Sequence, residues 1–259
     1  HRPKLGIIPA GTTNDYARAL KIPRESPVEA AKVIARGETI KIDIGMAGEK
    51  YFVNIAGGGL LTELTYVVPS EVKSLFGYLA YFVKGAEMLP RMKPIDMHLE
   101  YDDGVYDGKA SMFFLALTNS VGGFEQLVPD ASLDDGKFTL IVVKTSNLME
   151  ILQLFTKILN GGKHIDDPRI LYVKTSKVVA KPVNEKMMIN IDGEYGGDAP
   201  MTFKNLKQHI EIFANVKDIP DDAIRQQEED EQAEDAREHL IQGVENLSHE
   251  ELEMNDADH

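Results

Sequence analysis

The chain has 259 residues, 43% of them hydrophobic, and no run of 18 apolar residues, which excludes a membrane-spanning helix and predicts a soluble protein of one large or two modest domains. It has no cysteine, which excludes disulfides, a thiolate zinc site and a thiol nucleophile. The net charge of −14 is local: residues 220–259 hold 15 of the 42 acidic and 2 of the 28 basic residues, which leaves 27 acidic and 26 basic residues elsewhere.

The N-terminal segment carries no targeting signal. A secretory signal has a basic start followed by roughly 7 to 15 apolar residues, and HRPKLGIIPAGTTND has neither feature. A cytoplasmic protein is therefore expected. The chain opens with His1 where an intact reading frame would supply Met, so we expect an N-terminal segment to be missing.

Residues 1–38 are typical of the last part of an α/β domain. A short apolar strand is predicted from Leu5 to Ile8, followed by the turn-rich segment 9–15 and a helix from about Tyr16. A second helix is predicted to begin at Ser26-Pro27-Val28-Glu29 and to end at Gly37. Here Ser26 caps the helix, proline occupies the first helical position and glutamate completes a capping box.

Residues 39–218 consist mainly of short alternating or β-branched runs separated by turns, which predicts a sandwich-like or barrel-like β domain. Two helices with apolar stripes interrupt it, from about Glu71 to Leu89 and from about Leu148 to Leu159. Residues 219–259 are the acidic segment, which is predicted to be a solvated tail. The predicted fold class is an α/β N-terminal remnant followed by a mainly β, sandwich-like domain with two inserted helices and an acidic, disordered C-terminal tail. The strand-like runs are KIDIGMAG, KYFVNIAGGG, IDMHLEYDDG, ASMFFLALTNS, FTLIVVK, RILYVKTSKVVAK, KMMINIDGE and HIEIFANV.

The segment Pro9-Ala10-Gly11-Thr12-Thr13-Asn14-Asp15 lies where a strand meets a helix. Gly11 permits a tight turn, and the Thr and Asn side chains offer donors beside the unpaired N–H groups of a helix start, which suits an anion. Thr and Asn before a helix are more often simple caps. Asp15 can join a metal or water network, or merely favour the helix N-terminus. The segment by itself leaves these interpretations open.

Asp192 and Glu194 are candidate acid–base groups, because they follow the apolar run Met187–Ile191 at a glycine turn. On a strand, the two carboxylates would share one face, and their like charges would raise the pKa of one of them towards that of a useful base. A solvated hairpin turn is an equally open interpretation of the same residues.

Two further positions allow a functional and a simpler interpretation. Segment 132–137 is rich in turn and oxygen-bearing residues, which suits a hard cation but is also typical of a plain turn. Lys84 lies on the polar side of the first inserted helix, where a solvated lysine is the simple interpretation. His98, His164 and His209 show no metal-ligand spacing. Basic residues form no patch interleaved with aromatic residues, which disfavours nucleic-acid binding.

Six motifs follow one another along the chain: PAGTTNDYARAL at 9–20, IDIG at 42–45, FVN at 52–54 with GGG at 57–59, Asn119 with GGF at 122–124, PDASLDDG at 129–136, and NIDGE at 190–194. In this order and spacing they resemble the diacylglycerol kinase catalytic family, and the soluble bacterial diacylglycerol kinases are the most similar group. The resemblance runs from about Lys4 to Val216. Six ordered motifs are specific where any single one would not be.

The resemblance implies an ATP-dependent lipid kinase that converts diacylglycerol to phosphatidic acid, with Mg²⁺ neutralising phosphate charge. It implies that Asp192 and Glu194 are catalytic, and which of them accepts the proton is left open. For a structural Mg²⁺ it implies the side chain of Asp135 and the carbonyl groups of Ser132 and Lys137 as ligands. The implied residues of the nucleotide site and its acidic network are Gly11, Thr12, Asn14, Asp15, Asp43 and Lys84.

The phosphate loop of the family, Gly-Gly-Asp-Gly-Thr, does not occur in the chain. The chain as given is therefore expected to be a poor kinase. Two alternatives remain: a related kinase acting on a sphingoid base, another lipid or NAD, and a lipid-binding domain without catalysis. A membrane-bound substrate implies peripheral attachment at the inner face of the membrane, and a homodimer is left open.

Overall fold

The computed structural model describes residues 3–11, 13–59, 94–122, 127–144, 147–159, 161–184 and 186–224. The predicted helix from Glu71 to Leu89 and most of the predicted tail lie outside these residues. The helices are Asp15–Ala19 (α1), Pro27–Arg36 (α2) and Leu148–Leu159 (α3). The strands are Lys4–Leu5 (β1), Thr39–Ala47 (β2), Lys50–Phe52 (β3), Ile55–Gly59 (β4), Ile95–Tyr101 (β5), Gly104–Ala110 (β6), Met112–Ala116 (β7), Phe138–Val143 (β8), Ile170–Thr175 (β9), Lys177–Pro182 (β10), Met188–Ile191 (β11), Glu194–Asp198 (β12) and Met201–Phe213 (β13).

The strands form two sheets. The first has the order β3-β2-β13-β10-β5-β6, with β1 added in parallel to β13, and the second has the order β12-β11-β4-β7-β8-β9. All the other strand pairs are antiparallel. This architecture confirms the predicted mainly β, sandwich-like fold. Within the described part of the chain, no helix is both long and apolar enough to cross a bilayer.

The main core lies between the two sheets. Phe113 of β7 packs edge to face against Phe203 of β13, with ring centroids 6.1 Å apart, and Phe52 of β3 stacks on Phe138 of β8 at 5.7 Å. All four side chains are fully buried. Each pair joins one sheet to the other and adds about 0.5–1.5 kcal/mol beyond the burial of its area. The alternation of apolar residues along the strands therefore produces the sandwich.

Gly45 has a steric role in β2. It lies opposite Phe52 in the β2–β3 pair, and a Cβ atom added to Gly45 would come within 2.1 Å of the Phe52 ring. Only glycine lets the ring lie flat across the strand. The glycine of the Ile-Asp-Ile-Gly motif is therefore needed for packing of the main core.

A second core joins the N-terminal helices to the first sheet. Leu20 and Val33 pack with Ile42 of β2 and Ile212 of β13, and the described residues at the start of the acidic segment, 219–224, contribute to the same cluster. This core places the end of α1 beside the sandwich, where it can contribute to a shared site.

The capped start and glycine end predicted for α2 are confirmed. The Ser26 Oγ accepts a hydrogen bond from the Glu29 N–H at 3.3 Å, and Pro27 is the first helical residue. Gly37 ends the helix with a φ of 81°, in the left-handed region that glycine adopts without strain. The predicted range of α3 is also confirmed, since that helix spans Leu148–Leu159.

A third core lies on the outer face of the second sheet. Leu154 of α3 is 4% exposed and packs with Phe114 and Ile141 of that sheet. Phe113 and Phe114 therefore point into different cores, as successive residues of a strand must. The second sheet is apolar on both faces, which explains the unbroken apolar runs of β7 and β8.

Asp167 attaches α3 to the start of β9. Its side chain is 1% exposed and accepts hydrogen bonds from Lys157 Nζ at 2.6 Å and from Arg169 Nε and Nη2 at 2.8 and 2.7 Å. Hydrogen bonds from Arg169 and then Lys157 hold the pKa of the Asp167 carboxyl well below its usual range. The buried carboxylate is therefore fully paired.

We expect Asp167→Asn to lower the free energy of unfolding at pH 7 by about 1.5–3 kcal/mol, because the partly exposed Lys157 and Arg169 lose the buried carboxylate that accepts their hydrogen bonds. Because the folded-state pKa is depressed, the stabilisation is present above the unfolded pKa of about 3.9 and is lost as the pH falls through the lower folded pKa. Urea unfolding followed by circular dichroism between pH 7 and pH 3 measures it. Asp166→Asn, at an exposed neighbour, is the control, and an equal loss in both variants contradicts the prediction.

Three strands or parts of strands were not predicted. β6 carries two glycines and two charged residues, β12 carries two glycines, and the first half of β13 has only a short apolar alternation, Met201 and Phe203, before the predicted run at His209. All three have low intrinsic preference for strands and form because neighbouring strands supply hydrogen-bond partners.

Candidate functional site

A two-residue turn joins β11 to β12. Asp192 and Gly193 both have positive φ, 48° and 94°, and Ile191 pairs with Glu194 across the turn. Such a turn needs left-handed backbone at both central positions, which Asp-Gly tolerates best. Asn190 Oδ1 also accepts the Gly193 N–H at 2.9 Å. Asp192 and Glu194 are therefore not both strand residues, so the strand geometry from which a shared face was predicted does not occur.

The Asp192 carboxylate binds the chain between β3 and β4. It accepts hydrogen bonds from the N–H groups of Val53, Asn54 and Ile55 at 2.7, 2.9 and 2.9 Å. The Asp192 N–H in turn donates to the Ile55 carbonyl at 2.8 Å. Desolvation raises the pKa of the Asp192 carboxyl, and the three backbone donors limit that rise. Asp192 therefore anchors the β11–β12 turn to the second sheet.

Glu194 differs from Asp192 in its surroundings. It is exposed at the first position of β12. Its carboxylate makes no hydrogen bond or ion pair with any residue that the structure describes. An exposed carboxylate next to a rigid turn can accept a proton from a bound ligand, whereas the Asp192 oxygens are occupied by backbone donors.

Helix α1 lies next to this turn. The Tyr16 hydroxyl is buried and has no hydrogen-bond partner in the described part of the chain. Burial first, and then the negative charge of Asp192, raise the pKa of Tyr16. Tyr16 is the second residue of α1 and lies near enough to Asp192 for that charge to affect it. The first turn of α1 is therefore close to the Asp192 carboxylate.

Two hydroxyl residues after β7 connect α1 with the anchored turn. Ser120 Oγ donates to the Asp15 carboxylate at 2.8 Å. Thr118 Oγ1 donates to the Asn54 side-chain oxygen, and the Ser120 N–H donates back to Thr118 Oγ1 at 3.3 Å. Thr118 and Ser120 are 1% and 0% exposed. Residues far apart in the chain thus form one network that ends at Asp192.

The loop before α1 is closed by its own side chain. Asn14 Oδ1 accepts the Gly11 N–H at 2.9 Å, and Asn14 Nδ2 donates to the Gly11 carbonyl at 2.8 Å. Asn14 has a φ of 49° and makes no side-chain cap on the helix. The Asn14 amide therefore shapes the loop. Thr12 lies outside the described residues.

Acidic side chains gather at the loop between β7 and β8. Asp43 of β2 is 3% exposed and accepts the N–H groups of Gly136 and Gln208 at 2.6 and 2.7 Å. The pKa of Asp43 is raised to about 6, mainly by desolvation; the backbone donors oppose this rise and the charge of Asp135 adds to it. The structure thus places Asp43 beside the loop 132–137, as a shared acidic network requires.

The donors of this loop fit a hard cation. Asp135 Oδ1 accepts the Lys137 N–H at 2.9 Å, and Asp135 Oδ2 lies 3.7 Å from Lys174 Nζ. The Asp135 side chain is 6% exposed, and the buried carboxylates of Asp43 and Asp134 lie close by. A carboxylate together with backbone carbonyls is the type of ligand set that suits Mg²⁺, although here the Asp135 oxygens also contact the Lys137 N–H and Lys174. The structure shows no group of three or more His, Cys, Asp or Glu side chains fit for a metal among the residues it describes.

Lys84, like Thr12, lies outside the described residues. The other predicted site residues form two groups in the structure. The first comprises the α1 loop and the Asp192–Glu194 turn, and the second comprises Asp43 and the loop 132–137. Sequence reasoning missed Asn54, Thr118 and Ser120 as a linking network. Asn54 is the last residue of the FVN motif and Thr118 and Ser120 flank Asn119, but the network could not be predicted because the partners of Asn54 and Ser120 are more than sixty residues away along the chain.

Two family descriptions match the chain. The diacylglycerol kinase catalytic domain matches residues 1–47, and the YegS C-terminal NAD kinase beta sandwich-like domain matches residues 65–214. The first match includes the α1 loop, and the second includes most of the sandwich. The chain therefore belongs to the diacylglycerol kinase family and is a kinase.

Named relatives agree with this assignment. The diacylglycerol kinase of Bacillus subtilis (strain 168) is 51% identical over 212 residues, which is 82% of this chain and 69% of the relative. A diacylglycerol kinase of Staphylococcus epidermidis is 49% identical over 219 residues, or 85% of this chain and 68% of the relative. A crystal structure from Bacillus anthracis str. Sterne, assigned to the diacylglycerol kinases, has a TM-score of 0.71 at 27% identity, over 83% of this chain and 70% of that one.

Proposed function

We propose that this protein transfers the γ-phosphate of ATP to the free hydroxyl group of diacylglycerol at the inner face of the membrane, giving phosphatidic acid. The observation that carries this proposal is the network from Asp15 through Ser120, Thr118 and Asn54 to Asp192. It connects Asp15, at the end of the candidate anion loop, with Asp192, two residues before the exposed Glu194, in a chain of this family.

The loop before α1 is proposed to bind the phosphate groups of the nucleotide. Gly11, Thr12 and Asn14 form the loop that receives phosphate oxygens, and Asp15 is held by Ser120 at the start of the helix. The packing of α1 against the first sheet keeps this loop in place. Lys84 is proposed as a cation that neutralises phosphate charge.

The β11–β12 turn is proposed to act on the hydroxyl group of the lipid acceptor. The hydroxyl oxygen of the lipid attacks the γ-phosphorus, the bond to the bridging oxygen breaks, and ADP leaves. Glu194 takes the hydroxyl proton, because its carboxylate is exposed and makes no hydrogen bond or ion pair with described residues. Asp192 is a positioning residue, because three backbone N–H groups occupy its oxygens. The structure thus favours Glu194 over Asp192 as the base.

Magnesium is proposed at the loop 132–137. Asp135, with the carbonyl groups of Ser132 and Lys137, would hold the ion, and Asp43 would connect it to the rest of the acidic network. When bound, Mg²⁺ supplies positive charge that stabilises this acidic region. The rigid β2 strand and the Gly136 N–H keep Asp43 in place with or without the ion.

The test is phosphate transfer by the protein expressed from its complete gene. Radiolabelled ATP is supplied with dioleoylglycerol in mixed micelles, with Mg²⁺ and with EDTA, and parallel reactions contain sphingosine, monoacylglycerol or NAD. Label in phosphatidic acid that depends on Mg²⁺ supports the proposal. If transfer to another acceptor is faster, that acceptor and not diacylglycerol is the substrate. Lipid binding without transfer to any acceptor overturns the kinase proposal.

A further inference from the structure

A cavity of about 220 Å³ lies between α3 and the outer face of the second sheet. Twelve residues line it, and eleven of them are apolar. The sheet side includes Ile55 of β4, Phe114 of β7 and Ile141 of β8, and the helix side includes Leu154 and Ile158 of α3. We call it the sheet–helix cavity. Tight packing normally leaves few such spaces, so its presence requires an explanation.

The cavity suits a hydrocarbon, because eleven of its twelve lining residues are apolar. Its one polar side chain, His164, is 1% exposed, and its Nε2 lies 3.0 Å from the Leu127 carbonyl oxygen. A carbonyl can only accept, so Nε2 carries the proton and the imidazole donates that bond. Burial lowers the pKa of His164, which keeps the ring uncharged at neutral pH. An apolar cavity of about 150 Å³ already binds benzene and stays dry.

Ile55 connects the sheet–helix cavity to the proposed acceptor site. Its side chain lines the cavity, while its N–H donates to the Asp192 carboxylate at 2.9 Å and its carbonyl accepts the Asp192 N–H at 2.8 Å. Glu194 lies two residues after Asp192, on the other side of the turn. One residue therefore borders both the hydrocarbon space and the turn that carries the proposed base.

We propose that the sheet–helix cavity binds one acyl chain of the lipid acceptor and that α3 sets how much of the chain it holds. This inference rests on the proposed function for the identity of the ligand. Scaled from benzene in about 150 Å³, the cavity accommodates on the order of nine carbons of one chain. The remainder of that chain and the second chain stay outside it, so the acceptor hydroxyl can reach Glu194 while the lipid stays partly in the membrane.

Leu154→Trp tests the proposal by filling the cavity from the helix side. The series of acceptors runs from dibutyroylglycerol to ditetradecanoylglycerol at one surface concentration. In the wild-type protein kcat/KM should rise about fourfold for each added methylene that enters the cavity, and should level off near nine carbons. Leu154→Trp should remove most of this rise, and Leu154→Ala should move the plateau to longer chains.

Met149→Trp is the matched control, because Met149 is on the same helix and is 64% exposed. A readout independent of catalysis is the rise in Tm that dioctanoylglycerol, below its micelle concentration, causes through binding to the folded state. The rise should occur in the wild type and in Met149→Trp and should be lost in Leu154→Trp. Both tryptophan variants must first show the same cooperative unfolding without lipid; if Leu154→Trp does not, Leu154→Phe replaces it.

The outcomes separate the two proposals. No Tm rise in the wild type, or the same rise and chain-length profile in Leu154→Trp and Met149→Trp, overturns the acyl-chain site. A Tm rise that Leu154→Trp removes supports the site even if no diacylglycerol is phosphorylated. In that last case the kinase proposal fails while the cavity remains a hydrocarbon site.

Discussion

Glu194→Gln is expected to lower kcat for phosphate transfer to diacylglycerol by about 10²–10⁴-fold, the usual contribution of a general base. Glutamine keeps the shape of the side chain but cannot accept the hydroxyl proton. Because Glu194 is exposed at the start of β12 and its carboxylate makes no hydrogen bond or ion pair with described residues, the fold should not change. The Tm and the KM for ATP should therefore stay at their wild-type values.

Asp198→Asn is the control for this variant, since Asp198 is an exposed carboxylate at the other end of β12. The assay is initial-rate transfer from radiolabelled ATP in mixed micelles over a range of pH. A Glu194→Gln enzyme with more than a third of wild-type kcat would show that another group accepts the proton.

Asp192→Ala is expected to combine two losses, of stability and of transfer. The three N–H groups of Val53, Asn54 and Ile55 would lose their common acceptor. Leaving such donors unsatisfied costs about 1–3 kcal/mol for a buried group, and water can reach part of this exposed turn. We therefore expect the free energy of unfolding to fall by about 2–4 kcal/mol. Transfer should fall at least tenfold, because the turn that carries Glu194 is no longer anchored.

Hydrogen exchange distinguishes anchoring from a general loss of stability. In Asp192→Ala the exchange of the Val53, Asn54 and Ile55 amides should be faster than in the wild type. This acceleration should be larger than that of the amides of the β5–β6 pair. Asp103→Ala is the control, because Asp103 is an exposed aspartate in the two-residue hairpin turn between Tyr101 and Gly104. Wild-type exchange at Val53, Asn54 and Ile55 in Asp192→Ala would refute the anchoring role.

The proposed roles of Asp192 and Glu194 also predict different effects of conservative substitutions. Asp192→Asn keeps one carbonyl oxygen that can accept the Asn54 and Ile55 N–H groups, which both reach Oδ1 in the wild type, so its activity should lie between that of wild type and Asp192→Ala. Glu194→Asp keeps a carboxylate but withdraws it by one methylene. A base must reach the proton it takes, so Glu194→Asp should retain partial transfer with unchanged stability.

Local features could be predicted because their causes are local. The start and end of α2 follow from Ser26, Pro27 and Gly37, and the range of α3 follows from its apolar period. The sandwich follows from repeated short apolar runs, because a sheet with an apolar face must bury it. The Asp-Gly turn between β11 and β12 is likewise a short-range signal.

Strands with weak local preference could not be predicted in this way. β6 and β12 are glycine-containing segments, and they become strands because β5 and β11 offer backbone partners alongside them. Their conformation depends on neighbours from the folded sheet and not on their own side chains. The same is true of the first half of β13, which pairs with β10 and β2.

The sequence by itself determined which residue types carry the chemistry and in which order they occur: a loop for an anion, an acidic turn, and a pair of carboxylates at a glycine. The tertiary structure alone decided how these groups differ. Asp192 and Glu194 are indistinguishable as carboxylates two residues apart, yet Asp192 accepts three backbone N–H groups from residues 53–55, while the Glu194 carboxylate makes no hydrogen bond with described residues. The physical reason is that hydrogen-bond partners and burial, which set what a carboxylate can do, come from segments up to 139 residues away along the chain.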